Sequence, residues 1–182
     1  AQVFITGNTS STHGGGILAN GYLIVGLPDE IKVGNRLEVH ANKAFLDSQA
    51  NKLSLDNNEF KFEIIDVNTK QVVSTGSCDE KGVIQFMERI PFNHAGSYSY
   101  YVQEVKGKDP SITYDTTQYK IDVTVDEEEK KLVGGINGEI IKYHYYLSEV
   151  IVSRQNGEDW EVVKTVTPNK NEDNAVSLDL TG

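Results

Sequence analysis

The sequence predicts an all-β protein built as a β-sandwich. From about residue 30 onward, apolar and polar residues alternate with a period of two in one segment after another, and turn-forming residues separate the segments. No segment shows an amphipathic helical period, and the four prolines all fall near predicted loops. Many short strands at this spacing bury their apolar faces against one another as two packed layers.

Taken in order, residues 1–28 stand apart. "ITGNTSSTHGGGILANGYLIVG" is rich in Gly, Ser, Thr and Asn and carries almost no charge. It resembles the "ITGN…GGGI…NG" coils of right-handed β-helices in large bacterial surface proteins. Such a coil buries its faces only against neighbouring coils. The alternative is an irregular, Gly-rich leader. "GLPDE" at 26–30 reads as the boundary, leaving a sandwich domain over 29–182.

Within that domain "RLEVHANKAF" alternates with Leu37, Val39 and Ala41 in one phase, and "EFKFEIIDV" with Phe60, Phe62 and Ile64. "GVIQFMERI", "GSYSYYVQEV", "QYKIDVTVD", "IIKYHYYLSEVIVS" and "WEVVKTV" continue the pattern. "DVNTK", "NHAG", Asn137–Gly138 and Asn156–Gly157 supply the turns, Asn-Gly being suited to tight hairpins. Residues 127–170 read as an added hairpin, "DEEEKK" at 126–131 as a solvated connection, and "STGSCDEKG" as a loop holding Cys78.

Composition excludes several functions. A net charge of −10 without a basic stretch argues against a nucleic-acid partner. A single cysteine excludes an internal disulfide and a cysteine zinc site. No apolar run reaches the roughly 20 residues that cross a bilayer, and no basic n-region precedes an apolar stretch, so neither a span nor a secretion signal is expected within these residues. His13, His40, His94 and His144 show no metal-ligand spacing and are expected at surface or hairpin positions. "HGGG" at 13–16 lacks the G-x-S-x-G of an esterase, and "DNNE" at 56–59 lacks the spaced oxygen ligands of a calcium loop. No metal or cofactor is expected.

Two ionisable residues break the alternation. In "YSYYVQEV", Glu104 follows Tyr98, Tyr100 and Val102 on one face; in "RLEVHANKAF", Lys43 follows Leu37, Val39 and Ala41. Either both are buried in the sheet, or each turns outward at a strand end, where a lysine stem can lie along apolar surface with its ammonium in water.

Residues 36–126 resemble the FctA-type pilin isopeptide-linkage domains of Gram-positive surface proteins. "ANKAFLDSQANKLSLDNNEFKFEIID", "DEKGVIQFMERIPFNHAGSYSYYVQEVKG" and "ITYDTTQYKIDVTV" carry the likeness. It implies an Ig-like, CnaB-like sandwich in which a first-strand lysine condenses with a last-strand asparagine, assisted by a middle-strand glutamate. By motif these are Lys43 and Glu104, the same two residues that break phase. Desolvation disfavours the charged form of an amine and of a carboxyl alike. A neutral amine is a nucleophile, a protonated carboxyl can polarise an amide carbonyl, and folding holds the groups together. The reaction turns over once and needs no cofactor, so the chain is not expected to be an enzyme in the ordinary sense.

The acceptor departs from the family pattern, since no "FxNxY" strand is present. Asn174 is in phase with Val176, Leu178 and Leu180 and is the candidate, the alternative being a turn residue in "NKNEDN". Asp179 has suitable chemistry but is out of phase. A further alternative places the acceptor strand beyond residue 182. The resemblance implies a stalk or pilin-like module of a cell-wall-anchored, extracellular surface protein, with adjacent domains of the same protein as partners. The rival is a ligand-binding adhesin module, for carbohydrate or a host protein, using Tyr143, Tyr145, Tyr146 and Trp160 as stacking surfaces. A second rival, the end of a β-helix polysaccharide lyase, needs clustered charged catalytic residues that 1–27 do not supply.

Overall fold

The computed structural model describes residues 34–56, 59–133, 139–172 and 174–181, with the backbone alone for 130–133, 139–142 and 174–181. The predicted segment 1–28 lies outside the described residues. Ten strands follow in order: β1 (Arg36–Ala44), β2 (Lys61–Asp66), β3 (Val72–Cys78), β4 (Val83–Phe86), β5 (Ile90–Pro91), β6 (Gly96–Val105), β7 (Tyr119–Val133), β8 (Glu139–Asn156), β9 (Asp159–Val166) and β10 (Asn174–Thr181). No helix occurs among the described residues. The chain is all-β, as its alternation predicts, with the Ig-like, CnaB-like sandwich architecture.

The strands join in the order β10-β1-β4-β3-β2-β6-β7-β8-β9, with β5 beside β1. Described pairs are antiparallel except β1 with β10, which run parallel, Leu37 opposite Asn174 and Lys43 opposite Leu180. Four strand spacings separate β1 from β6, about 19 Å on a flat sheet. Yet Lys43 on β1 and Glu104 on β6 touch at 2.8 Å. The sheet therefore folds over on itself, and its inward faces enclose one core. Leu37, Val39 and Ala41 of β1 share that core with Phe62 and Ile64 of β2, Tyr100 and Val102 of β6, and Ile121 and Val123 of β7.

Several sequence readings change. Cys78 is not in a loop but ends β3, buried opposite Ile84. Residues 126–131 continue β7 rather than connecting strands, while the expected hairpin within 127–170 is present as β8 and β9, antiparallel across Asn156–Gly157. Glu128–His144 belongs to a different compact unit from the one that holds the rest of the described strands. Within it His144 is buried, not exposed, with Nδ1 4.0 Å from Glu128 Oε2.

Candidate functional site

Lys43 is placed by both ends of its strand. Its alternation with Leu37, Val39 and Ala41 turns it into the core, and the whole residue is 6% exposed. Its backbone is clamped by the turn before β4, where Lys43 N donates to Gly82 O at 2.7 Å. Gly82 has φ +85°, and a Cβ there would lie 2.2 Å from the Lys43 carbonyl oxygen, so only glycine fits this approach. Asp79 closes the turn, its Oδ1 accepting from Lys81 N and Val83 N.

Glu104 stands opposite Phe62 in the β2–β6 ladder and points to the same inner face. Lys43 Nζ donates to its Oε2 at 2.8 Å, with the two side chains 4% and 2% exposed. Asp115 N donates to the same oxygen at 3.3 Å. Oε1 is buried and has no hydrogen-bond partner among the described residues. The ammonium also lies 5.2 Å above the Phe60 ring, which meets Phe45 and Tyr114 edge-on. Burial pushes the Glu104 carboxyl above the ordinary carboxylate range; the Lys43 hydrogen bond and charge and the Asp115 N–H pull it back, while the Asp115 charge adds to the push.

An ammonium donating to a carboxylate in a dry site is one proton transfer from an amine beside a carboxylic acid. No charge separation has to survive in the low-dielectric interior after that transfer. The pair thus supplies a nucleophile and a proton donor in contact, with one carboxyl oxygen still open.

The third predicted residue is not brought to this pair. Asn174 sits opposite Leu37, six register positions from Leu180, the residue opposite Lys43. Six residues of strand span about 20 Å, so Asn174 does not reach Nζ from this register. Asp179 is paired with Asn42, one position from Lys43. Sequence reasoning also passed over Asp115 and Phe60 as parts of the site. Phe60 was legible only as an inward residue of its segment, and Asp115 acts through a backbone N–H that no side-chain pattern reveals.

The chain matches the family model FctA, the Spy0128-like isopeptide containing domain, over residues 39–180. It belongs to the FctA family. No curated protein and no solved structure gives a match. The family is one of pilin-like isopeptide domains of Gram-positive surface proteins, and its match spans every strand from within β1 to β10. Among the described residues no group of three His, Cys, Asp or Glu is gathered for a metal, and no helix is long and apolar enough to cross a membrane.

The aromatic residues of the rival reading meet different neighbours. Tyr145 meets His94 edge-on at 6.1 Å, Lys170 Nζ lies 5.7 Å over Tyr146, and Trp160 stacks on Tyr101 at 5.6 Å with an 11° tilt. Tyr143 is exposed.

Proposed function

We propose that this chain is a structural module, stalk or pilin-like, of a Gram-positive cell-surface adhesin or pilus protein, and that Lys43 and Glu104 are the donor and proton-handling groups of an intramolecular Lys–Asn isopeptide crosslink. The observation that carries the reading is the sealed Lys43–Glu104 contact, 2.8 Å between two side chains that water scarcely reaches. Family membership supports the reaction class.

The steps balance without a cofactor. Nζ passes a proton to Oε2, leaving a neutral amine and a carboxylic acid. The amine nitrogen attacks the Cγ of an asparagine carboxamide while the Glu104 carboxyl hydrogen-bonds the carbonyl oxygen that gathers charge. The tetrahedral centre collapses, the C–N bond to the side-chain amide breaks, and Glu104 shuttles the proton that lets ammonia leave. One amide bond replaces another. Contact distance imposed by the fold makes the step effectively unimolecular, with effective molarities on the order of 10⁵ M or more. A covalent tie between the first strand and the acceptor strand keeps a pulling force from unzipping the sheet and limits the opened states on which proteases act.

On β10 the residues at and beside the position opposite Lys43 are Asp179, Leu180 and Thr181, so an asparagine acceptor has to come from outside this stretch of β10, and Asn174 is not placed to serve from its own register. The adhesin alternative, with carbohydrate or a host protein as ligand, has less support, because Tyr145, Tyr146 and Trp160 are engaged within the fold. Extracellular display, with neighbouring domains of the same protein as partners, follows from the structural reading.

Intact mass of the denatured chain tests it, with Lys43→Ala as control. A deficit of one ammonia, absent from the control, establishes the crosslink. A deficit of one water identifies a carboxylate acceptor, for which Asp179 is nearest in register. An unmodified mass removes the crosslink from this chain.

A further inference from the structure

The β6–β7 connection, residues 106–118, is a long loop without strand structure, yet it is fastened at several points against the Lys43–Glu104 pair. Tyr114 sets its ring edge-on to Phe60 at 5.9 Å, and Phe60 in turn lies beneath Lys43 Nζ. Gly107 gives the Tyr114 hydroxyl its seat, since a Cβ at 107 would lie 2.2 Å from that oxygen. Asp109 Oδ1 accepts from Ser111 N at 2.9 Å and from Ser111 Oγ at 2.6 Å. Asp115 Oδ1 accepts from Thr117 N at 2.8 Å, which fixes the backbone at 115. Loops of this length are uncommon in compact domains unless they serve a site.

Ile112–Thr116 also line two openings, one of about 540 Å³ shared with Glu63, Gln103, Glu104 and Lys106, the other of about 750 Å³ reaching Lys43 and the segment after β1. The loop is therefore the partition beside the buried pair. At its nearest point the Asp115 N–H and the Lys43 ammonium converge on a single oxygen, Glu104 Oε2. Both donors use that oxygen and leave Oε1 without a partner among the described residues. A carboxyl with only Lys43 to hold it is free to rotate and exchange its oxygens; a second donor, rigidly mounted, removes that freedom.

We propose that Asp115 is the positioning residue of this site: its backbone N–H, held by the 106–118 loop, locks Glu104 with Oε2 toward Lys43 and Oε1 turned to receive the acceptor amide. The proposal rests on the crosslink reading for its function, while the geometry it claims is testable without a crosslink. The Asp115 carboxylate acts on Glu104 protonation against its own N–H, whose hydrogen bond favours the ionised form. Its charge, added to burial, favours the protonated carboxyl that the condensation requires. The other charged groups around Glu104 are Lys43 from β1, which opposes this, and Glu63 and Lys106, which line the opening on the β2 and β6 side.

The test is an NMR titration of the full chain, carrying ¹³C-labelled glutamate and ¹⁵N-labelled backbone, with Glu104→Gln to assign the Glu104 carboxyl signal. In the unsubstituted chain the Asp115 amide proton should titrate with the same midpoint as the Glu104 carboxyl, and that response should vanish in Glu104→Gln. In Asp115→Asn, whose side-chain oxygen still accepts from Thr117 N, the Glu104 midpoint should move to lower pH and the pH profile of crosslinking should move with it. An amide at 115 indifferent to Glu104 protonation, or a midpoint unmoved by Asp115→Asn, overturns the proposal. Intact mass reports separately on the crosslink, so an unmodified chain whose Asp115 amide follows Glu104 sinks the crosslink reading and leaves the positioning geometry standing.

Discussion

Replacing Lys43 by Met leaves the Glu104 carboxyl in a site where its side chain is 2% exposed, and the cost should depend on pH in a way that identifies its origin. Lys43 provides two of the influences that hold the Glu104 carboxyl down, a hydrogen bond and a charge, and without them desolvation acts against only the Asp115 N–H. Removing one partner of a buried pair costs about 3–5 kcal/mol. The comparison is Lys43→Met against Lys43→Met/Glu104→Gln, since glutamine matches the shape of a protonated glutamic acid and neither variant can form the crosslink. Glu104 has a folded-state pKa above its unfolded value, so the folded protein holds the extra proton. Its stability is full below the unfolded carboxylate range, near pH 4.3, and is lost as pH rises through the raised folded value. The slope is at most about 1.4 kcal/mol per pH unit, so a deficit of 3–5 kcal/mol takes about 2–4 pH units to develop. Urea unfolding of both variants from pH 4 to pH 8, followed by far-ultraviolet circular dichroism, reads this directly. The single substitution should match the double at the acid end and fall progressively below it toward pH 8. Parallel profiles would refute the argument, because they would mean that the carboxylate stays solvated.

Two further substitutions separate the clamp at Lys43 from the outer surface. Gly82→Ala forces an L-residue into φ +85° and brings a Cβ to 2.2 Å from the Lys43 carbonyl, so it should lower stability by about 1–3 kcal/mol. It should also slow crosslinking, because the backbone that carries Lys43 must move; urea titration and the time course of intact mass check the two effects. Trp160→Ala removes the stack on Tyr101 from a strand whose residues are largely exposed, and calorimetry should show a loss of about 0.5–1.5 kcal/mol with no change in crosslinking.

Period-two alternation revealed most strands because most inward positions take large apolar side chains. β3 escaped for a reason visible in its packing. Its inward residues are Ser74, Gly76 and Cys78, all buried and all small. A Cβ at Gly76 would lie 2.9 Å from the Gln85 carbonyl oxygen and close to the Phe86 and Ile84 side chains. The close approach of β4 selects small residues there, and small residues erase the contrast on which the pattern depends. The place of β10 in the sheet escaped differently. Its parallel pairing with β1 joins segments more than a hundred residues apart, and no local signal encodes that register.

The same distinction separates the legible part of the site from the rest. Lys43 and Glu104 declared themselves as charges in an apolar phase, because alternation reports which side of a strand is dry. It does not report what a residue meets there. The two lie 61 residues apart and four strands apart in the sheet, and their contact exists only because the sheet folds over. Asn174 shows the converse, since its phase matched the inward series while its register put it opposite Leu37. Phase is a property of one strand, whereas a reaction geometry is a property of two. A condensation between strands therefore has to be located by register, and on β10 the residues at and beside the position opposite Lys43 are Asp179, Leu180 and Thr181.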